Sequence, residues 1–531
     1  MEHLSFWFFY PMTFMRLYYS IILTFTFFIP SICLAQEEAR LVGQNNAEGK
    51  PEGVWYFISD KGDSLIAGIY KNGQKEGVWN QYTDNGRLYA KSTYKSGMKN
   101  GAERKIYASG KIFSEAVYTN DKLSGLYNLY YENGNIKQSG SYNSGLKNGE
   151  WTNFSESGRK AQTITYVNGE VEGAVITYNA WGNIKTKTQY KGSLQDGEFL
   201  EYDDMGNVIT KGQFIKGKET GTWKYSYPYS LAKYKEETFV NGLIEGIQIT
   251  YFENGRKESE FNYQRDTVQG RALIFYPNGN LYKNIQFKDG LEHGDYAEYY
   301  ENKLMSARGK YEEGLKTGTW EFFHENGQNS EVGEYKDDEK SGLWKTFYEN
   351  GSLRSEGHFV FGEKGGQWFY YHENKQLAYL GTYKNNKEEG LWGYFYPNGK
   401  LQQELTFSNG RLQSVTDPIS PKGKILNKGS FKEGTGSLIT YDEDGKKTIE
   451  EYYENGLKQG KSKLFFPNGK VKAEGEFVNG KKEGLWLYFH KNGRVSSNGK
   501  YREDKPSGKW RYYDKYGTLI DEKNFEDNDS I

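Results

Sequence analysis

The chain has almost none of the residues that staple or arm a small domain. It carries one cysteine, Cys33, in 531 residues, so no intramolecular disulfide can form. Histidine is scarce, with only His3, His293, His324, His358, His372 and His490, and no Cys/His cluster or paired-His helix motif is present. Net charge is also lacking. Seventy acids against 69 bases leave no overall field to attract nucleic acid or anionic lipid. No stretch of helical length with 3.6-residue apolar periodicity occurs, and 64 glycines punctuate the chain, which argues against helices. Acids are plentiful, but nothing singles out a catalytic pair. Asp203-Asp204 and Asp337-Asp338 read as turn residues. The expectation is a protein without catalytic residues, cofactor or metal site, and not an enzyme.

What the sequence does have is a period. Trp320, Trp344, Trp368 and Trp392 follow one another at 24-residue steps, as do Trp55 and Trp79, and Trp486 and Trp510. Taking the Trp position as zero places 20 units along the chain, with Trp at zero in ten of them. Glycine stands two residues before zero in 19 units, Ser414 being the exception; Gly318, Gly342, Gly366 and Gly390 are examples. Three residues after zero the chain is mostly Tyr or Phe, as at Phe323, Phe347, Tyr371 and Phe395. Fifteen after zero it is aromatic throughout, as at Tyr335, Phe359 and Tyr383. A fixed period of this kind means stacked units that lean on their neighbours instead of closing separate cores. These columns are the candidate structural and functional positions.

Each unit carries two turn signals. Asn133-Gly134, Asn254-Gly255, Asn326-Gly327 and Asn350-Gly351 mark the first, Asn168-Gly169, Asn409-Gly410 and Asn479-Gly480 the second. Asn-Gly between strand-like runs points to a type I′ hairpin turn. The runs between are rich in Tyr, Phe, Thr and Ile, which suit strands. The predicted fold is all-β: an elongated array of about 20 antiparallel hairpins in a single continuous twisted meander, about 190 Å long if untwisted at about 4.8 Å per strand. A two-residue first turn sets position zero opposite position thirteen, often glycine, so that Trp344 faces Gly357 and its ring lies across that bare residue. Columns zero and three face apart. His324, His372 and His490 fall in the column four after zero, otherwise Tyr, and read as ordinary members of it.

Residues 1–35 lie outside the rhythm. Arg16, the apolar stretch Leu17 to Ile29 and Cys33-Leu34-Ala35 read as a secretory signal peptide cleaved near Ala35, or else an uncleaved anchor. The expected layout is a linker at 36–49, the array at 50–525 and an acidic tail at 526–531. Two interruptions are expected, at 225–237 with Pro228 and at 411–434 with Pro418 and Pro421; both read as bulges or surface loops, with a hinge or partner site as the functional alternative.

Read as Gly-x-Trp-x-x-Tyr/Phe-x-x-Asn-Gly-x-Leu followed by Gly-x-Tyr-x-x-Gly, the unit resembles the MORN-repeat variant family. Gly342-Leu343-Trp344 through Asn350-Gly351, Leu353, Gly357, Phe359 and Gly362 carry the resemblance, as do Gly484 through Tyr501. It implies an elongated array of β-hairpins and a scaffold role; many secreted bacterial members are grouped as antitoxin-like. The expected function is an exported scaffold binding a protein or cell-envelope partner. Carbohydrate or cell-wall binding through exposed aromatic columns, and antitoxin-like neutralisation of a partner protein, are the alternatives. Neither nucleic acid nor a strong membrane-lipid signal is expected.

Overall fold

The computed structural model describes residues 40–525, and within them the chain forms forty-two strands and no α-helix. The signal peptide expected at 1–35 and the acidic tail at 526–531 lie outside the described residues. The expected linker carries a strand, Leu41–Asn45, paired antiparallel with Pro51–Ile58. The chain divides after Gly206 into two compact units. The first holds fourteen strands, Leu41–Asn45 to Leu194–Tyr202, each antiparallel to its successor. The second begins at Val208–Ile215 and runs as an antiparallel meander to Arg411–Val415, then holds a separate eight-stranded sheet from Gly436–Tyr441 to Leu519–Phe525.

The two turns of each unit differ. The second is the type I′ turn: Asn168 (φ 50°) and Gly169 (φ 88°) join Val167 to Glu170, and Asp337 (φ 51°) and Asp338 (φ 65°) join Lys336 to Glu339. Two successive positive φ values match the twist of the flanking strands. The first turn was expected to be of the same type and is not. Tyr131 N–H donates to Asn135 O (2.8 Å) and Gly134 N–H to Tyr131 O (2.9 Å), which encloses the three-residue loop Glu132-Asn133-Gly134. Only Gly134 takes positive φ (98°) there, as in a type I turn closed by a glycine bulge. The expected irregularity at 225–237 is a longer version of this turn, with Pro228 in its loop and the ladder resuming at the Ser226–Lys233 pair.

The expected single continuous meander is interrupted at residues 416–435. This stretch is a packed insert, not a surface loop. Thr416 N–H donates to Glu404 O (2.9 Å) and Ile419 N–H to Gln402 O (2.8 Å), so its start lies along the strand Leu401–Ser408. Its end lies along Gly436–Tyr441, where Phe431 N–H donates to Ser437 O (2.9 Å) and Ile439 N–H to Lys428 O (2.8 Å). Phe431 is buried with Leu412, Val415 and Leu438, and Pro418 is fully buried. Both prolines lie outside any ladder they would break.

Candidate binding surface

The inward face is built on a bulge. In the hairpin pair Asn329–Lys336 and Glu339–Phe347, Val332 pairs with Lys345 and Glu334 with Ser341, so Gly342, Leu343 and Trp344 stand opposite Gly333 alone. Gly342 takes φ 67°, a left-handed conformation that a side chain disfavours. All nineteen glycines of this column take positive φ, between 61° and 123°, which accounts for the column's strictness. The bulge swings Trp344 over Gly333, where an added methyl would lie inside the indole ring.

The expected register is correct, since Trp344 pairs with Gly357. The expected contact is not. The glycine under each ring is on the preceding strand: Gly309 lies under Trp320, Gly333 under Trp344, Gly357 under Trp368, Gly381 under Trp392. At Trp344 the bulge opens one rung of the ladder, and the indole closes it. Trp344 Nε1 donates to Glu334 O at 3.1 Å, Trp320 to Lys310 O, Trp368 to His358 O and Trp486 to Glu476 O, each at 3.2 Å. A buried carbonyl that loses its strand partner thus keeps a donor.

Aromatics of column fifteen wedge edge-on between successive indoles. Tyr335, Trp344, Phe359, Trp368, Tyr383 and Trp392 form one alternating row, with centroids 5.0–6.1 Å apart and interplanar angles of 79–88°. This edge-to-face geometry is the one aromatic quadrupoles favour. Lysines four residues before zero cap the row. Lys316, Lys340 and Lys364 hold their ammonium groups 4.8, 3.9 and 4.4 Å from the rings of Trp320, Trp344 and Trp368. Burial pushes Lys147 and Lys364 below the usual lysine pKa.

Column three faces away, as expected, but is half-buried. Phe323, Phe347, Tyr371 and Phe395 all have intermediate exposure, and Tyr371 donates its hydroxyl to Glu356 (3.0 Å). Column four ties one unit to the next. Tyr300 donates to Phe323 O (2.6 Å) and Tyr348 to Tyr371 O (2.7 Å), while the imidazoles of His324 and His372 meet Phe347 O and Phe395 O at 3.0 Å. The histidines are members of that tyrosine column. The turn asparagines do similar work: Asn326 Nδ2 donates to Glu349 O (2.7 Å) in the next unit, and its Oδ1 accepts from Gln328 N–H (2.9 Å) in its own turn. Acids in the second turns are also engaged, Asp338 accepting from Lys316 N–H (2.8 Å) and Glu389 from Asn409 N–H (2.7 Å). Among the described residues no three metal-ligating side chains converge.

Three units replace the indole and its glycine by a buried carboxylate, a feature the sequence reading missed. Glu103 occupies position zero above Ser92 and pairs with Lys99 at 2.9 Å. Glu237 takes a glycine position below Gln248, which donates to it at 2.5 Å, and Lys235 lies 2.7 Å away. Glu451 lies below Ser462 and pairs with Lys458 at 2.8 Å. Wherever an acid enters this face a lysine is beside it, as a desolvated charge requires.

The outward face differs between stretches. Large aliphatics one residue before zero stand exposed, Val78, Leu126, Leu391 and Leu485 among them. In the first unit Val78 and Leu126 wall a groove of about 390 Å³, completed by Thr93, Ala102, Ala116 and Val117 with Lys91, Glu103, Arg104, Glu115 and Asn128.

A family model described as MORN repeat variant matches nine segments, residues 75–96, 123–144, 244–265, 268–289, 316–337, 340–360, 364–385, 388–409 and 458–479. No curated protein matches the sequence. Among solved structures the chain is similar to TcdB2-TccC3-Cdc42, with 11% identity over 90% of this chain and 30% of that one (TM-score 0.12). It is also similar to the Photorhabdus luminescens Tc holotoxin pore, with 12% identity over 84% of this chain and 24% of that one (TM-score 0.12). The chain thus spans less than a third of the length of either, and at these TM-scores the likeness carries no argument.

Proposed function

Because the chain belongs to the family of MORN repeat variants, we propose that it is an exported, non-enzymatic scaffold that holds a protein or cell-envelope partner along its outward face. One observation supports this above the rest. The inward face is filled by indoles, aromatics and lysines that cap them, and the turns are hydrogen-bonded to one another, whereas the outward face leaves aliphatic side chains exposed at Val54, Val78, Leu126, Leu343, Leu391 and Leu485. Exposed aliphatic surface of that extent serves recognition, not stability. The half-buried state of column three gives sugar rings little aromatic face to stack on. Affinity purification of the chain from cell-envelope fractions tests the proposal. A stoichiometric protein partner, with the mature chain found outside the cytosol, is expected. Recovery in the cytosol with residues 15–35 intact would overturn the export part, and turnover of any substrate by the purified chain would overturn the non-enzymatic part.

A further inference from the structure

The outward groove of the first unit differs in chemistry from the same columns of residues 271–334. Val54 pairs with Ile69, Val78 with Thr93, and Ala102 with Val117, and Leu126 follows on the next strand. Val78 and Leu126 are 58% and 65% exposed. The strands are drawn close here: Thr93 donates its hydroxyl to Ala102 O (3.1 Å), and a methyl on Gly125 would touch Val117. The side chains therefore form one continuous aliphatic stripe. In residues 271–334 of the second unit the same two columns hold Arg271, Gln286, Asp295, Lys310, Thr319 and Glu334, an ordinary solvated surface.

The stripe also carries an uncompensated charge. Lys91 and Arg104 are directly opposite each other across the ladder, a repulsive arrangement. Two carboxylates line the groove, and both are already taken: Glu103 is buried against Lys99, and Glu115 is held by Arg104 and Tyr130. Arg104 binds it through Nε (3.0 Å) and a terminal nitrogen (2.6 Å), and Tyr130 donates to its other oxygen (2.7 Å). Lys91 is exposed, and no described acid pairs with it. An aliphatic surface with one unmatched ammonium complements an apolar segment that carries a carboxylate.

We infer that this groove captures an apolar polypeptide segment bearing an acidic residue, with aliphatic side chains against Val78, Val117 and Leu126 and the carboxylate on Lys91. The inference rests on the scaffold reading and specifies the partner's chemistry. Panning a displayed random-peptide library on the full chain tests it. Enriched peptides are expected to combine aliphatic residues with Asp or Glu. A synthetic copy of the leading peptide should bind about tenfold more weakly to the double variant V78S/L126S. On K91E the enrichment should shift from acidic to basic peptides, which a merely structural lysine would not cause. All three positions are exposed, so thermal melting should be unchanged in the variants. Absence of enrichment, or enrichment indifferent to these substitutions, overturns the inference, as does binding of oleate or anionic vesicles at this groove in preference to peptides. A native partner that co-purifies equally well with V78S/L126S would leave the scaffold reading standing and remove this one.

Discussion

Trp344 over Gly333 and Glu103 over Ser92 occupy the same place in the repeat, and they fill it differently. Both follow a glycine at positive φ, Gly342 at 67° and Gly101 at 123°. Around Trp344 the rung to Gly333 is lost and the indole N–H replaces it. Around Glu103 the rung is kept, Ser92 pairing with Glu103 directly. Several units without a tryptophan behave as Glu103 does, Ala116 pairing with Tyr127, Ile164 with Val175 and Thr188 with Phe199, whereas the rung between Phe261 and Ala272 is open. The bulge thus belongs to the glycine two residues before zero, and the Trp–Gly pair is one of several ways to pack what the bulge leaves open. At Trp344 one backbone rung is exchanged for ring packing and a side-chain hydrogen bond, whereas Trp368 keeps its rung to Gly357 beside the same hydrogen bond.

If so, removing the indole should cost more than altering any other filling. Trp344→Ala is expected to destabilise the surrounding hairpins by about 3–5 kcal/mol, since it leaves both a cavity and an unpaired carbonyl. Amide exchange at residues 329–360 would register this, because a repeat array unfolds locally. Gly333→Ala should cost about 1–3 kcal/mol through overlap with the ring. The penalty of Gly333→Ser should shrink in a Trp344→Glu background, which copies the Ser92–Glu103 pair beside the lysine already present as Lys340; equal penalties in both backgrounds would separate the two fillings. Glu103→Ala strands the partly buried Lys99 and should cost about 1–3 kcal/mol, recovered in part by a second change, Lys99→Met. Asn326→Ala, which touches neither filling, should cost only about 0.5–1.5 kcal/mol by removing its donor to the next turn.

Alkali probes both kinds of unit with a spectroscopic signal of its own. Burial raises Tyr142, beside Trp151, and Tyr501, beside Trp510, to about 12, and Tyr118, beside Glu103, is raised by burial and further by that carboxylate. A tyrosine whose folded pKa exceeds its unfolded value stabilises the fold fully below the unfolded value. That stability drains as the pH climbs from about 10 through the folded value. Tyrosinate absorbance should therefore lag the free-tyrosine curve and then rise together with loss of structure. A smooth titration near pH 10 with the fold intact would contradict the burial described here.

Much of this was legible in the sequence. The period, the all-β hairpins and the opposed faces of columns zero and three follow from turn chemistry and strand alternation. The partner of the tryptophan was assigned to the wrong side, although the sequence holds the signal. A glycine thirteen after one zero is also eleven before the next. Gly140 follows Tyr127 and precedes Trp151; Gly212 follows Phe199 and precedes Trp223; Leu405 follows Trp392 and precedes Thr416. Glycine tracks the tryptophan that comes after it. What sequence alone could not supply is the bulge, which moves the ring one strand back. The first turn was misread because Asn-Gly serves equally in a type I turn with a glycine bulge, where asparagine is selected for its reach to the next unit. The insert at 416–435 was read from its prolines as a loop; the burial of Phe431 and Pro418 arises from two sheet edges that only the folded chain brings near.

The hairpins from Leu315 to Ser408 are close copies, and the indoles of Trp320, Trp344, Trp368 and Trp392 rest on interchangeable bare backbones. A nascent chain could skip a unit there and still seat every ring. An indole delivered to Ser92, Glu237 or Glu451 instead strikes a side chain, and a carboxylate delivered to a glycine strand loses its neighbour. The odd units therefore act as punctuation in an otherwise monotonous text, and they give a folding chain fixed points from which to count.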